Sequence, residues 1–298
     1  MNIGLRMPYA GALARPDNLL RFAARADDLG FYSLFMSDHI VIPRRIDSAY
    51  PYNESGFDEP EDSLELLTTL AFVAAATRKI RMMTGILVLP YRNPLLTAKM
   101  LANIDYLSGG RLIVGAGVGW MREEFEALGA EFEKRGTLAD AYIKAFRIAW
   151  SNALSPKPIQ KPSPPIWIGG ESPSAMRRAA ELGEGWMPIG ANAKYPLRDS
   201  SELQLSMEKV KQHMARAGRN VSQFQFGYMV PRYKLLKGSD ALPVKRAPFV
   251  GNAEEIIEDI TSFGDIGVSF LGFEILGRDI EEATQGIERF GEEIVDRL

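Results

Sequence analysis

A strand–helix–strand pattern in the first half of the chain constrains the fold more than any other feature. An apolar run from Ile80 to Leu89 is ended by Pro90, and a second apolar run extends from Leu112 to Val118. Between them, apolar residues recur every three or four positions up to Gly109 and Gly110, a spacing typical of a helix that ends on glycine. Two strands that are apolar throughout, joined by a helix, predict a right-handed βαβ unit in a buried parallel sheet.

Three glycines alternate at the end of this unit. Gly115, Gly117 and Gly119 therefore lack a side chain on the same face of the predicted strand. Such a face accepts either a neighbouring backbone or a flat ligand at close range. The dinucleotide-binding fingerprint requires its third glycine at position 120, where this chain has Trp120, so the pattern excludes a Rossmann-type site.

The alternation of strands and helices continues over the whole chain. The predicted strands begin near residues 2, 33, 80, 112, 166, 185, 224 and 268. Eight such repeats without an interdomain linker predict an α/β fold, a single-domain (β/α)8 TIM barrel over residues 1–298, with a doubly wound open sheet as the alternative. Residues 43–62 and 231–249 have no periodicity and are predicted as insertions after the second and seventh strands. A loop of this length in a compact domain is often an active-site lid.

Composition narrows the functional class. The formal net charge of the 298 residues is -3, which argues against the basic surface that nucleic-acid binding requires. The chain has no cysteine, so disulfides, thiolate catalysis and cysteine-ligated metals are excluded. The first residues are typical of a strand and not of a signal peptide, and no apolar run is long enough to cross a bilayer. We therefore expect a cytoplasmic protein with a small-molecule substrate and no nucleic-acid or membrane partner.

Side chains at the carboxyl ends of the strands are the candidate site residues, because TIM barrels place their active sites there. His39, one of two histidines, ends the second predicted strand. We interpret it as catalytic, because only histidine titrates near neutral pH without perturbation; the alternative is a structural histidine beneath the lid. Asp38 could hold the ring of His39 or contact a cofactor. Trp120 follows the fourth strand and is a candidate wall of the substrate pocket, with plain core as the alternative.

The turn after the fifth predicted strand is the best candidate phosphate site. Gly170 and Glu171 precede Ser172, which suits a helix N-cap, and Pro173, which suits the first helical turn. Unpaired N–H groups and the helix dipole at such a position attract phosphate. No Gly-Lys-Ser/Thr follows, so this is not a Walker loop. The sequence shows no close cluster of His, Asp and Glu that predicts a metal site, and no G-x-S-x-G elbow.

Three separated motifs resemble those of the bacterial luciferase-like flavin-dependent oxidoreductases. They are SDHIVIP, TGILVLPYRNPLLTAKMLANIDYLSGGRLIVGAGVGWMREEFEALG and PPIWIGGESPSAMRRAAELGEGWMP. The similarity runs from residue 2 to about residue 190 and resumes at FVGNAEEIIEDI. Within the family, SDH after the second strand and GVGW after the fourth are most similar to the branch that uses the deazaflavin coenzyme F420. Other branches use reduced FMN and oxygen as monooxygenases.

The resemblance implies cofactor contacts around a flat ring. Asp38 and His39 match residues that contact the deazaflavin ring, with His39 close to the site of hydride transfer. Gly85 and Ile86 match a bulge whose non-prolyl cis peptide supports the back of the ring. Val118 and Gly119 match residues under the ring.

The resemblance also concerns the two ends of the site. The residues that match the phosphate-holding turn follow Gly170 and are Glu171, Ser172, Ser174 and Ala175. Trp120 stands where the sugar-phosphate dehydrogenases of the family carry a catalytic glutamate, so sugar-phosphate oxidation is not expected. The acid–base work then falls to His39, or to the substrate and water.

The residues and the resemblance together predict an oxidoreductase that uses coenzyme F420 to move a hydride to or from a small apolar or conjugated organic substrate. A monooxygenase that uses reduced FMN and oxygen is the first alternative. A flavin-binding barrel without turnover is the second. We expect a homodimer, paired through the helices that follow the second and third strands.

Overall fold

Nine of the eleven described strands pair side by side in one closed, parallel barrel. The computed structural model describes residues 1–53, 56–57, 62–236 and 246–298. The strands are β1 (Asn2–Arg6), β2 (Ser33–Met36), β3 (Arg81–Thr84), β4 (Leu87–Val88), β5 (Leu112–Gly117), β6 (Ile166–Gly169), β7 (Gly185–Met187), β8 (Gln225–Met229), β9 (Lys234–Leu235), β10 (Val250–Gly251) and β11 (Phe270–Phe273). The barrel order is β3-β2-β1-β11-β8-β7-β6-β5-β4, and a pairing between β3 and β5 closes it. Because β3 and β4 together fill one of eight positions, the predicted (β/α)8 barrel is confirmed and the open sheet is wrong.

Nine α-helices in the described part of the chain surround this barrel. They are α1 (Pro16–Asp28), α2 (Leu66–Ala76), α3 (Pro94–Leu107), α4 (Arg122–Ala127), α5 (Arg135–Ile148), α6 (Pro173–Leu182), α7 (Ser200–Arg216), α8 (Ala253–Asp265) and α9 (Ile280–Glu293). Local chemistry fixes several of their first residues. Asn93 accepts hydrogen bonds from the backbone N–H of Leu95 (3.0 Å) and Leu96 (3.2 Å), which caps α3. None of the described helices is long and apolar enough to cross a membrane.

Apolar side chains fill the interior of the barrel and so form the floor beneath its upper mouth. They come from successive barrel strands and are Phe35, Met83, Ile113, Trp167, Met187, Met229 and Phe270. Their sequence neighbours, such as Leu34 and Met82, belong to a larger cluster that joins the strands to the helices. Side chains therefore alternate between two cores along each strand, which leaves the residues beyond the strand ends to line the mouth.

The third predicted strand is interrupted at Gly85–Ile86, where the peptide bond is cis, as the resemblance implied. Ile86 lies against the glycines of β5. A Cβ atom at Gly117 would stand 1.7 Å from Ile86 Cδ1, and one at Gly115 would stand 2.0 Å from the carbonyl oxygen of Thr84. The adjacent segment of the same chain, Thr84 to Ile86, therefore lies against these two glycines, and a flat ligand does not.

The two predicted insertions are described in part. Residues 54–55, 58–61 and 237–245 lie outside the described residues. The first insertion leaves β2 and crosses to the far side of the mouth, where the backbone N–H of Ala193 donates to Pro51 O at 2.9 Å. In the second insertion, β9 pairs in parallel with β10. The first insertion is the one that bears on the site, and we call residues 40–53 with 56–57 the lid.

Candidate active site

A cavity of about 1170 Å³ opens at the carboxyl ends of the barrel strands. Pockets for one small ligand usually measure about 300–1,000 Å³, so this cavity has room for a cofactor together with a substrate. All twelve residues that the sequence analysis selected line it. They are Asp38, His39, Gly85, Ile86, Val118, Gly119, Trp120, Gly170, Glu171, Ser172, Ser174 and Ala175. Their contact with a cofactor stays a prediction.

The ring of His39 is held by a buried carboxylate that the sequence analysis did not select. His39 Nδ1 lies 2.8 Å from Glu124 Oε2, and the hydroxyl of Tyr91 donates to the same oxygen at 2.8 Å. The other oxygen, Oε1, accepts the backbone N–H of Ile40 at 2.6 Å and of Val41 at 3.1 Å. Burial alone would raise the pKa of Glu124, but the hydrogen bonds from His39, Ile40 and Val41 hold it below its ordinary value.

Glu124 escaped the sequence analysis because an acid in the first turn of a helix has an ordinary explanation in the helix dipole. A second signal was present. Helix α4 begins two residues after Trp120, on the rim of the barrel, and helical side chains point back toward the N-terminus. An acid at this position is therefore aimed at the mouth.

Asp38 has its own partner and is completely enclosed. Its two oxygens each receive a hydrogen bond of 2.7 Å from the guanidinium of Arg92, and Oδ2 also accepts the backbone N–H of Val88 at 2.9 Å. Arg92 reaches Glu65 as well, at 2.8 Å. The carboxylate thus ties the end of β2 to the segment after β4. Of the two roles the sequence left open for Asp38, holding the His39 ring belongs to Glu124, and cofactor contact remains a prediction.

Aromatic rings form the cavity wall beside His39. Trp120 lies 5.0 Å from Tyr50 and 5.2 Å from Phe57 between ring centroids, and these two lid residues are 5.4 Å apart. Phe57 also lies 4.9 Å from the ring of His39. Trp120 is half-buried, lines the cavity and packs against the lid, so it is not part of the barrel core. Aromatic pairs of this kind exclude water and present an apolar surface.

The turn between β6 and α6 forms the opposite end of the cavity. Gly170 has a φ of +96°, a conformation that favours glycine, and leads into the helix. Ser172 caps α6 as predicted, because its hydroxyl accepts the backbone N–H of Ala175 at 3.2 Å. The hydroxyl of Ser174 lies 3.0 Å from that of Ser172. Two hydroxyls at the start of a ten-residue helix are a donor set that fits a phosphate group.

Arg135 is a second residue that the sequence analysis missed, and it lines the cavity together with Ser172 and Ser174. Its Nη1 donates to Phe132 O at 2.9 Å, and its guanidinium lies 3.8 Å from the centre of the Phe132 ring. Its Nε is buried and has no hydrogen-bond partner within the described residues. A buried donor without an acceptor, carried by a cation, suits an anionic group bound at this end.

Glu171 fastens the lid to this end of the cavity. It is 4% exposed, and its carboxylate accepts the backbone N–H of Ile189 at 2.6 Å and the side-chain amide of Asn192 at 2.9 Å. The hydroxyl of Tyr52, on the lid, is hydrogen-bonded to both Glu171 and Asn192. Burial raises the pKa of Glu171 to about 7 in spite of these hydrogen bonds. The predicted contact of Glu171 with phosphate is not tested by this geometry.

Metal ligands are not grouped in the described part of the chain, where no cluster of three or more His, Asp or Glu side chains could hold an ion. The described basic residues of the second insertion, Arg232, Lys234 and Arg246, do not line the cavity. Arg246 instead pairs with Asp259, with Nη2 to Oδ1 at 2.8 Å. Among the described residues, the cations that line the cavity are Arg6 on β1, Arg135 on α5 and Arg178 on α6.

The family of the chain follows from a direct comparison. The family model of the luciferase-like monooxygenases matches residues 3–233, and the chain belongs to this family. The resemblance drawn from the sequence motifs is thereby confirmed.

Relatives within the family differ in the cofactor that their names state. An uncharacterised protein of Mycobacterium tuberculosis is 30% identical over 231 residues, which cover 72% of this chain and 77% of that protein. A putative coenzyme F420-dependent oxidoreductase of the same organism is 28% identical over 215 residues, 63% of this chain and 55% of the relative. An FMNH2-dependent dimethylsulfone monooxygenase of Pseudomonas putida is 31% identical over 153 residues, 45% of this chain and 41% of the relative.

Solved structures share the whole barrel. The monooxygenase RslO1 from Streptomyces bottropensis has a TM-score of 0.77 at 21% identity, with 100% of this chain and 99% of that chain covered. An F420-dependent secondary alcohol dehydrogenase in complex with an F420–acetone adduct has a TM-score of 0.73 at 19% identity, with 99% and 98% covered. At this identity the likeness establishes the fold alone.

Proposed function

We propose that this protein is an oxidoreductase that binds coenzyme F420 and catalyses hydride transfer to or from a small apolar or conjugated organic substrate. The observation that carries the proposal is the arrangement of one cavity, in which a carboxylate-held histidine faces an aromatic wall at one end and a phosphate-type helix start lies at the other. A sequence relative named as a putative F420-dependent oxidoreductase supports the choice of cofactor.

The residues at the two ends have separate tasks. Ser172, Ser174 and Arg135 would hold the phosphate of the cofactor, by hydroxyl donors and by a positive charge. When bound, a deazaflavin supplies or accepts the hydride. His39 would accept the proton of a substrate hydroxyl at Nε2 during oxidation and return it during reduction. The lid would limit the access of water to the space between the cofactor, the substrate and His39.

An FMNH2-dependent monooxygenase is the second candidate, and one observation favours it. The dimethylsulfone monooxygenase relative is 31% identical over the part that it shares with this chain. A phosphate and a flat ring are common to both cofactors, so the same turn and the same wall would serve either. The aromatic triangle of Tyr50, Phe57 and Trp120 would then have to protect a reduced flavin from water.

Titration of the purified protein with F420 and with FMN, followed by cofactor fluorescence, tests the proposal. We expect F420 to bind and to be reduced in the presence of a panel of small secondary alcohols, or its reduced form to be oxidised by α,β-unsaturated ketones. His39→Ala should retain F420 binding and lose activity by about 10²–10⁴-fold. Tight FMN binding without F420 binding would transfer the assignment to the monooxygenase. Cofactor binding with turnover unaffected by His39→Ala would favour a barrel that only carries flavin.

We further propose that the protein is a homodimer paired through α2 and α3. Large apolar side chains on these helices are exposed, namely Phe72 (44%), Leu95 (56%), Leu96 (59%) and Leu107 (73%). Because α2 and α3 lie side by side, their exposed apolar side chains offer a surface for contact with a second copy. Light scattering should give twice the chain mass of 33.1 kDa for the parent and the single mass for Leu96→Asp. A parent chain that is monomeric at micromolar concentration would contradict the pairing.

A further inference from the structure

The hydrogen bonds around Glu124 leave little freedom for the proton on His39. Each carboxylate oxygen has two neighbours at hydrogen-bond distance, the backbone N–H groups of Ile40 and Val41 on Oε1 and the side chains of His39 and Tyr91 on Oε2. The backbone groups can only donate, so Oε1 must accept from both. On Oε2, a carboxyl proton could be shared with one neighbour only, whereas an ionised oxygen accepts from both.

An ionised Glu124 requires a donor at His39 Nδ1. The carboxylate is completely buried, and a buried charge is stabilised only when donors surround it. Ile40, Val41 and Tyr91 supply three donors, and His39 Nδ1 occupies the fourth position, where an acceptor would face the negative charge. The pKa of Glu124 lies below its ordinary value of 4.5, so the group is ionised at neutral pH. Neutral histidine has one ring proton, and in water both nitrogens compete for it.

We propose that Glu124 is a positioning residue that fixes the proton of neutral His39 on Nδ1 and thereby leaves the lone pair on Nε2. The ring is then oriented and the nitrogen that can accept a proton is set before any ligand binds. This role deepens the proposed function, because proton transfer at Nε2 rests on it, but the tautomer itself does not depend on any activity.

The same carboxylate also connects the histidine with the lid. Ile40 and Val41 directly follow His39 and begin the lid, and both are held by Oε1. The next acid toward the N-terminus, Glu123, holds the lid further along, where its Oε1 accepts the backbone N–H of Asp47 and of Ser48, each at 2.9 Å. Glu123, like Glu124, therefore accepts two backbone N–H groups of the lid, but it has no hydrogen bond to His39 among those described, which makes it a matched control.

Nitrogen NMR on the full chain tests the proposal directly. The protein has two histidines, so ¹⁵N-histidine labelling gives two ring spectra, and His213→Gln assigns them. Above the titration of His39, we expect the parent to show a protonated Nδ1 and an unprotonated Nε2. Glu124→Gln should lose this pattern, with the proton found on Nε2 or shared, and the titration midpoint of His39 should move to lower pH. Glu123→Gln should keep the parent pattern.

Each outcome decides the matter. A parent spectrum with the proton on Nε2 overturns the proposal without any variant, even if Glu124→Gln fails to fold. Identical His39 spectra for Glu124→Gln and Glu123→Gln overturn it as well. An intact tautomer in a protein that binds neither F420 nor FMN would leave Glu124 as a positioning residue and reject the proposed function alone. Given a working assay, we expect Glu124→Gln to lower kcat with KM little changed, because a misplaced proton affects the reaction more than binding.

Discussion

Two buried glutamates lie near opposite ends of the cavity, Glu171 in its wall and Glu124 behind His39, and their pKa values are shifted in opposite directions. Glu124 is fully buried, and its pKa is lowered. Glu171 is 4% exposed, and burial raises its pKa to about 7. Burial is the largest influence on both carboxyls and acts in the same direction on both. The difference reflects both how strongly burial acts on each carboxyl and which groups surround it.

The two carboxyls also differ in one of the groups that surround them. Glu124 faces two backbone N–H groups, the hydroxyl of Tyr91 and an imidazole that can itself become positive. Glu171 also faces two backbone N–H groups, those of Ile189 and of its own residue, and a tyrosine hydroxyl, that of Tyr52, but its fourth partner is a neutral amide. The imidazole adds an electrostatic attraction to the carboxylate that the neutral amide at Glu171 does not supply. One end of the cavity therefore holds a permanent charge, and the other holds a carboxyl poised to change its charge near neutral pH.

Removal of Glu124 should have the largest effect. Glu124→Ala leaves the N–H groups of Ile40 and Val41, the His39 ring and the Tyr91 hydroxyl without their acceptor. We expect the free energy of unfolding at pH 7 to fall by about 3–5 kcal/mol, as for other broken buried pairs. Urea denaturation measures it. Glu123→Ala, which frees two lid N–H groups near the surface, should cost only about 1 kcal/mol, and equal losses would show that the lid contacts dominate.

Replacement of Glu171 should change the pH dependence of stability. Its pKa is about 7 in the folded chain and 4.5 ordinarily, so between these values the folded state holds a proton that the unfolded state has released. Stability therefore falls as pH rises from 4.5 to 7, by up to about 3 kcal/mol at 1.36 kcal/mol per unit of pKa difference. Glu171→Gln should lack this loss. Urea denaturation at several pH values checks it, and parallel profiles for parent and variant would contradict the raised pKa.

The ionisation of Glu124 should affect the pH dependence of stability in the opposite direction to that of Glu171. Because its folded pKa is lowered, its contribution is present above pH 4.5 and is lost as the pH falls through the folded value. The two carboxyls should therefore act on different sides of the profile. Glu124→Gln should keep the decline in unfolding free energy between pH 4.5 and 7. Glu171→Gln should remove that decline.

Much of this fold could be predicted from local patterns. Runs of apolar residues predicted the strands, and capping chemistry predicted helix starts, so that Ser172 caps α6 and Pro173 begins it as predicted. The rule that barrel function follows the strand ends placed all the selected residues on one cavity. Periodicity was less informative about surfaces, since Leu95 and Leu96 fit the apolar pattern of α3 but are exposed.

The pairing of polar side chains could not be predicted, because it depends on which strand ends meet. His39 and Glu124 are 85 residues apart in the sequence and Asp38 and Arg92 are 54 apart. No rule of sequence spacing connects such pairs. Asp38 was selected as a residue that could hold the His39 ring because it is adjacent to His39 in the sequence. The alternating glycines likewise predicted that some group lies close to the strand but did not identify it. At Gly117 this group is the side chain of Ile86.

The smallest expected effect concerns the link between Glu171 and the lid. Tyr52→Phe removes the hydroxyl that donates to Glu171 and keeps the ring. That hydrogen bond favours the carboxylate and lowers the pKa of Glu171, so its loss should raise the pKa further. The decline in stability should then extend to higher pH, while the stability at pH 5 changes by about 1 kcal/mol or less. The same urea series measures both. A shift to lower pH would mean that Tyr52 accepts a hydrogen bond from protonated Glu171, and the lid would then be fastened most firmly by the neutral acid.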